Sequence, residues 1–135
     1  MTILPFKFKH LPLLHELLSS QSYIGISNIT MKTLPKTGYI VLLNNQPVAA
    51  GFLRRVEPCF AQFDTFATSS YFGSQIRHKA INLVIDSLLH DAKTLKLHGI
   101  IAFTEDSGIL TRAKDMGFHV VNQTLLALPL LPQSK

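Results

Sequence analysis

The stretch from Phe60 to Leu97, FAQFDTFATSSYFGSQIRHKAINLVIDSLLHDAKTLKL, decides how the rest of the chain is read. Phe60 to Ala67 is aromatic and alternating, which predicts a strand. Thr68 to Ser74 breaks it with small and polar residues. Apolar residues then recur at Ile76, Ala80, Ile81, Val84, Ile85, Leu88 and Leu89. That spacing draws one continuous stripe along a helix of 3.6 residues per turn. The helix is expected to run to about Leu97, with Gly99 as its stop. A helix that starts directly after a strand aims its unpaired N–H groups and its positive dipole end beyond the strand, at a natural place for a phosphate-bearing ligand.

Downstream, Gly99 to Thr104 is a continuous apolar run, as expected of a strand covered on both faces. A strand, a helix and a strand in succession predict a parallel pair joined by a right-handed crossover. Glu105, Asp106 and Ser107 precede a second helix, Gly108 to Met116, which Gly117 ends. Phe118 to Leu128 reads as a last strand or strand pair before Pro129 and Pro132. Upstream, Ile3 to Phe8 reads as a short strand and His10 to Ser19 as a helix. Residues 20–36 read as a loop with a turn of helix, and a loop of that length is often a lid or a substrate wall. Gly38 to Leu43 and Val48 to Leu53 form a hairpin about Asn44 and Asn45, residues that tolerate positive φ. Gly51 inside the returning strand signals a bulge or a close approach.

The whole chain has 135 residues, 47% hydrophobic and 16% charged, with no repeat or low-complexity tract. One domain with a full core is expected. The apolar runs are too short to span a bilayer, and the first residues lack the order of a signal peptide. Together with a single cysteine, Cys59, this leads to the expectation of a cytoplasmic protein. The net charge of +5 comes from scattered basic residues. It fits an anionic partner such as a phosphorylated cofactor, or a mildly basic surface, and no basic run reads as a nucleic-acid arm. The six histidines show no two-ligand spacing with a carboxylate, so no metal site is expected. Gly-x-Ser-x-Gly, a Walker loop and cysteine pairs are all missing, which removes hydrolase, NTPase and zinc-finger readings.

The resulting order, β, α, loop, ββ hairpin, β, α, β, α, β, resembles that of the GCN5-related N-acetyltransferase family over nearly its whole length. Three stretches carry the likeness: the hairpin with Gly51 in its returning strand, the strand, loop and helix of 60–97, and Asp106 to Phe118, which is similar to the family's late helix ending in Gly-Phe. The resemblance implies a single α/β (α+β) domain with a mixed, mostly antiparallel sheet and one splayed parallel pair. It implies acetyl-CoA as co-substrate and direct acetyl transfer to a primary amine on a small molecule or peptide. The pantetheine arm would pair with Phe66, Ala67 and Thr68. The pyrophosphate would lie on the loop and helix start formed by Gly73, Ser74, Gln75, Ile76, Arg77 and His78.

Two departures accompany the likeness. The family's loop reads Arg/Gln-x-x-Gly-x-Gly/Ala, and here Ile76 and His78 stand where small residues are usual. Where the family often has a tyrosine as general acid, four residues before the Gly of Gly-Phe, this chain has Ala113. A binding or regulatory module of the same fold is therefore the alternative to an enzyme. Asp64 is a candidate general base or a structural carboxylate. Glu105 is a candidate at the exit of a parallel strand, and Tyr71 lines the mouth or donates a proton, or simply packs in its loop. The apolar tail from Leu125 to Leu131 offers a dimer edge.

Overall fold

The computed structural model describes residues 1–21, 25–104 and 107–130. It divides into two compact units, 1–103 and 104–135. The first holds β1 (Thr2–Pro5), α1 (Leu11–Ser20), β2 (Thr37–Leu43), β3 (Gln46–Val56), β4 (Phe60–Thr68), α2 (Ser74–Thr94) and β5 (Gly99–Ile101). Single 3-10 turns lie at Phe8–His10 and Ile26–Asn28. The five strands form one sheet in the order β1-β2-β3-β4-β5. Every neighbouring pair is antiparallel except β4 and β5, which run parallel.

The period-2 alternation of the strands separates two cores. Val41, Leu53 and Ala61 meet Ala80, Val84, Ile85 and Leu88 of α2, the stripe expected from the sequence. On the opposite face, Ile40, Ala50, Phe52 and Ala67 meet Leu14, Leu17 and Leu18 of α1. The hairpin turns at Asn44 and Asn45, with φ of 51° and 65°. Two successive positive values are what a two-residue turn needs to match the twist of its strands.

The sheet is crowded where it lacks side chains. A Cβ at Gly51 would lie 2.5 Å from the Phe66 ring and 2.9 Å from Val84 Cγ1. At Gly51 the register between β3 and β4 also slips: Phe52 pairs with Asp64 but Ala50 with Ala67. Two steps on β3 therefore face three on β4, which is a bulge. Within it Thr65 has φ +50°, a left-handed conformation that a β-branched residue rarely adopts. The bulge brings Phe63 and Phe66 together, ring centroids 5.0 Å apart, although three positions separate them.

Helix α2 ends earlier than its sequence suggests. Lys96, not Gly99, takes the left-handed position, with φ +58°. Leu97 N–H donates to the Ala92 carbonyl and Lys96 N–H to the Lys93 carbonyl, so the last carbonyls are satisfied in a Schellman arrangement. Gly99 instead opens β5, where a Cβ would meet the Phe60 ring at 2.9 Å.

In the second unit α3 spans Ser107–Asp115. Its end is the same device built on glycine: Gly117 has φ +100°, and Phe118 N–H donates to the Ala113 carbonyl at 3.0 Å. The expected last strand is corrected: residues 118–130 form no strand. An alternating apolar pattern becomes a strand only beside a partner that takes its backbone hydrogen bonds, and no such pairing is present among the described residues. Leu125, Leu126, Leu128 and Leu130 are exposed. Glu105, Asp106 and Leu131 lie outside the described residues.

Candidate active site

The parallel pairing of β4 and β5 is short. It joins Phe60, Ala61 and Gln62 to Gly99, Ile100 and Ile101 and then stops. Among the described residues no strand lies on the β5 side of β4 from Asp64 to Thr68, so the expected strand of 99–104 contributes only its first half. The main chain of a strand edge that no neighbouring strand pairs with is a template for any ligand that carries amides.

The edge leads into the start of α2. Gly73 is the N-cap, with φ −66° and ψ 164°, and has no side chain to offer the first turn. Arg77 N–H donates to the Gly73 carbonyl, which closes the first intrahelical bond. The N–H groups of Ser74, Gln75 and Ile76 precede that bond and are directed out of the helix end. A Cβ at Gly73 would find nothing within 4 Å, so the approach to this end is open. Ile76 does not obstruct it, because its side chain packs into the core with the α2 stripe. Arg77 is half-buried, and among the described residues its Nε is a buried donor without a hydrogen-bond acceptor. His78 is exposed on the next turn.

Asp64, at the bulge, is held on both oxygens. Arg54 Nε donates to Oδ2 at 2.6 Å and the Thr65 hydroxyl donates to Oδ1 at 2.5 Å. The Arg54 guanidinium reaches further, donating from Nη2 to the Thr33 carbonyl at 2.8 Å. One arginine on β3 therefore fastens the segment that precedes β2 to the carboxylate on β4. Each carboxylate oxygen retains a second lone pair, so Asp64 has capacity left for a further donor. Tyr71, offered from sequence as a packed or proton-donating residue, is 81% exposed, with its backbone N–H donating to Ser69 Oγ. Glu105 lies outside the described residues.

Two residues at the site were not singled out from the sequence. Arg54 looked like half of a polar strand end, and its role appears only once Asp64 lies on the next strand. Gln21, just past α1, accepts the Thr68 N–H on its Oε1 at 3.1 Å. Beside it, Ser70 N–H donates to Ser20 Oγ and Ser70 Oγ to the Ser20 carbonyl. These contacts join residues 47 to 50 positions apart, which no local pattern reveals. Among the described residues no group of three or more histidines, cysteines or carboxylates is placed to hold a metal ion. Nor is any helix there long and apolar enough to cross a membrane.

No family model and no curated protein matches this sequence. Solved structures do match its fold. A Mycobacterium tuberculosis protein crystallised with CoA superposes with a TM-score of 0.70 at 17% identity, over 94% of this chain and 76% of that one. The aminoglycoside N-acetyltransferase AAC(6')-Iy in complex with CoA gives 0.70 at 11% identity, over 96% of this chain and all of that one. A predicted acetyltransferase from Clostridium acetobutylicum, with acetyl-CoA, gives 0.68 at 17% identity over 94% and 95%. At these identities the likeness is one of architecture, and the architecture is that of the GCN5-related N-acetyltransferases.

Proposed function

We propose that this chain is an acetyl-CoA-dependent N-acetyltransferase that moves an acetyl group directly to a primary amine. The observation that carries the reading is the β4 edge from Asp64 to Thr68, left by β5 and continuous with an open helix start. The residues present fit such a carrier. Of the three residues Phe66, Ala67 and Thr68 the edge offers the backbone of Phe66 and of Thr68, while Ala67 pairs with Ala50 of β3. Gly73 admits a group close to the main chain, and the N–H groups of Ser74, Gln75 and Ile76 supply donors and a positive dipole end for an anion. Arg77 adds a cationic side chain in the first turn of the same helix, and His78 is a further exposed side chain there. The neighbours crystallised with CoA or acetyl-CoA support the same assignment.

The carrier supplies an activated acetyl thioester when bound. The chain's part is to orient the acetyl group on the β4 edge, accept a proton from the amine and exclude water. Asp64 is placed at the bulge of that strand, and its remaining lone pairs suit it to take the amine proton, directly or through a water. Tyr71 stays a candidate for the second proton transfer. An aminoglycoside N-acetyltransferase among the neighbours acts on an amine, which favours an amine acceptor here.

A second reading is a binding module of the same fold that no longer transfers. Ala113 in place of a tyrosine and the double engagement of Asp64 favour it. Thermal denaturation with and without acetyl-CoA tests the first reading. Ligand at 100 times its dissociation constant adds about 2.7 kcal/mol of stability. A shift together with CoA release in the presence of a panel of amines supports the transferase. A shift without release under any amine supports the module, and no shift refutes both.

A further inference from the structure

Thr68 closes β4, and its backbone N–H faces away from β3. The next residue shows the direction: Ser69 N–H donates to the Val48 carbonyl at 2.8 Å, across the β3 side. Successive N–H groups of an extended chain alternate sides, so the Thr68 donor lies on the edge that β5 has left. That donor is taken within the chain itself. Gln21 Oε1 accepts it at 3.1 Å, so a side-chain amide carbonyl sits where an amide-bearing ligand would place its own. Gln21 is exposed and terminates α1 as its C-cap, so the carboxamide has room to leave. The neighbouring contacts belong to a different set. Ser70 bonds twice to Ser20, and Ser20 Oγ bonds back to the Leu17 carbonyl at 2.8 Å, so they hold the end of α1 to the loop without using the strand edge.

We infer that Gln21 is a displaceable placeholder on the acyl-carrier edge: its carboxamide satisfies the Thr68 N–H in the free protein and is exchanged for the carrier's amide carbonyl on binding. This rests on the transferase or module reading, since both place a carrier on β4. The exchange makes no new covalent bond and moves no proton. Its consequence is a tax on affinity, because the carrier must compete with a group already tethered at its site.

The test compares the wild-type chain with Gln21→Ala and Ser70→Ala by calorimetric titration with acetyl-CoA, and follows amide hydrogen exchange at Thr68 without ligand. The expected result for Gln21→Ala is tighter acetyl-CoA binding, about three- to tenfold, as for one net hydrogen bond no longer surrendered. Thr68 exchange should rise in the same variant, with the melting temperature little changed. Ser70→Ala should bind within twofold of wild type, since it leaves the Gln21 contact in place. Acetyl-CoA binding by Gln21→Ala that is no tighter than that of wild type overturns the placeholder while leaving the functional reading intact. Unchanged Thr68 exchange in Gln21→Ala also overturns it. Absence of acetyl-CoA binding by wild type and Gln21→Ala alike refutes the functional reading and the placeholder with it.

Discussion

Gly51→Ala is the sharpest probe of how β3 and β4 fit together at the bulge. The added methyl would stand 2.5 Å from the Phe66 ring and 2.9 Å from Val84 Cγ1, closer than carbon atoms approach without displacement. Neither neighbour is a flexible tip: Phe66 is wedged against Phe63, and Val84 is fully buried in the α2 stripe. Overpacking of this kind costs about 1–3 kcal/mol. Replacing glycine within a strand returns about 0.5–1 kcal/mol, because less backbone freedom is lost on folding. Because both neighbours are held, the overpacking lies in the upper part of its range, about 2–3 kcal/mol, and the net loss expected is about 1–2 kcal/mol. With a urea slope of about 2 kcal/mol per molar, the midpoint should fall by roughly 0.5–1 M. Phe66→Leu removes the nearer obstacle, so Gly51→Ala should cost less in that background, with a coupling of at least about 0.5 kcal/mol. An unchanged midpoint for Gly51→Ala, or strictly additive effects of the two substitutions, would refute the argument that Phe66 is what requires glycine there.

Three further outcomes are expected. His10 is buried, its Nδ1 accepts the Lys7 N–H at 2.9 Å, and burial together with Lys9 and Lys7 lowers its pKa below the usual 6.5. The folded state thus favours the neutral ring. Stability should be full above pH 6.5 and decline as pH falls through the depressed folded value, a slope that urea titrations at several pH values should lose in His10→Gln. Tyr39 donates to Asp91 Oδ2 at 2.6 Å, and that bond, with burial and the carboxylate charge, pushes its pKa up to about 12. Its contribution should hold below pH 10 and vanish as pH rises towards 12, and ultraviolet titration of Asp91→Asn should show Tyr39 ionising earlier. Lys96 carries a side chain in a left-handed conformation at the end of α2. Lys96→Gly should therefore stabilise the chain by about 1 kcal/mol in denaturant titrations, and a loss would show that the Lys96 side chain earns its place by contacts.

Local patterns carried much of the architecture because the forces behind them are local. The apolar stripe from Ile76 to Leu89 predicted α2 and the face it buries, since a 3.6-residue period leaves one solution once a core exists. Asn44 and Asn45 predicted the hairpin because both must adopt positive φ, and few residues do so cheaply. Gly117 predicted the end of α3 for the same reason. Gly99 misled: it looked like a helix stop, but its small size serves the Phe60 ring across the parallel pair, and Lys96 bears the left-handed turn instead. Residues 118–128 misled in another way. Their alternation states what a strand would look like, whereas forming one takes a second strand that no period encodes.

The candidate site divides along the same line. By itself the sequence determined the strand–loop–helix unit of 60–97 and therefore the helix start at Gly73, since both follow from periodicity and chain punctuation within a few residues. Only the tertiary structure decided that β5 leaves β4 after Gln62, that Ile76 turns into the core rather than towards the open helix end, and that Asp64 and Thr68 are taken by Arg54 and Gln21. Those outcomes depend on which backbone edges and side chains meet after distant segments pack, and a hydrogen bond between residues 47 positions apart has no signature in either neighbourhood.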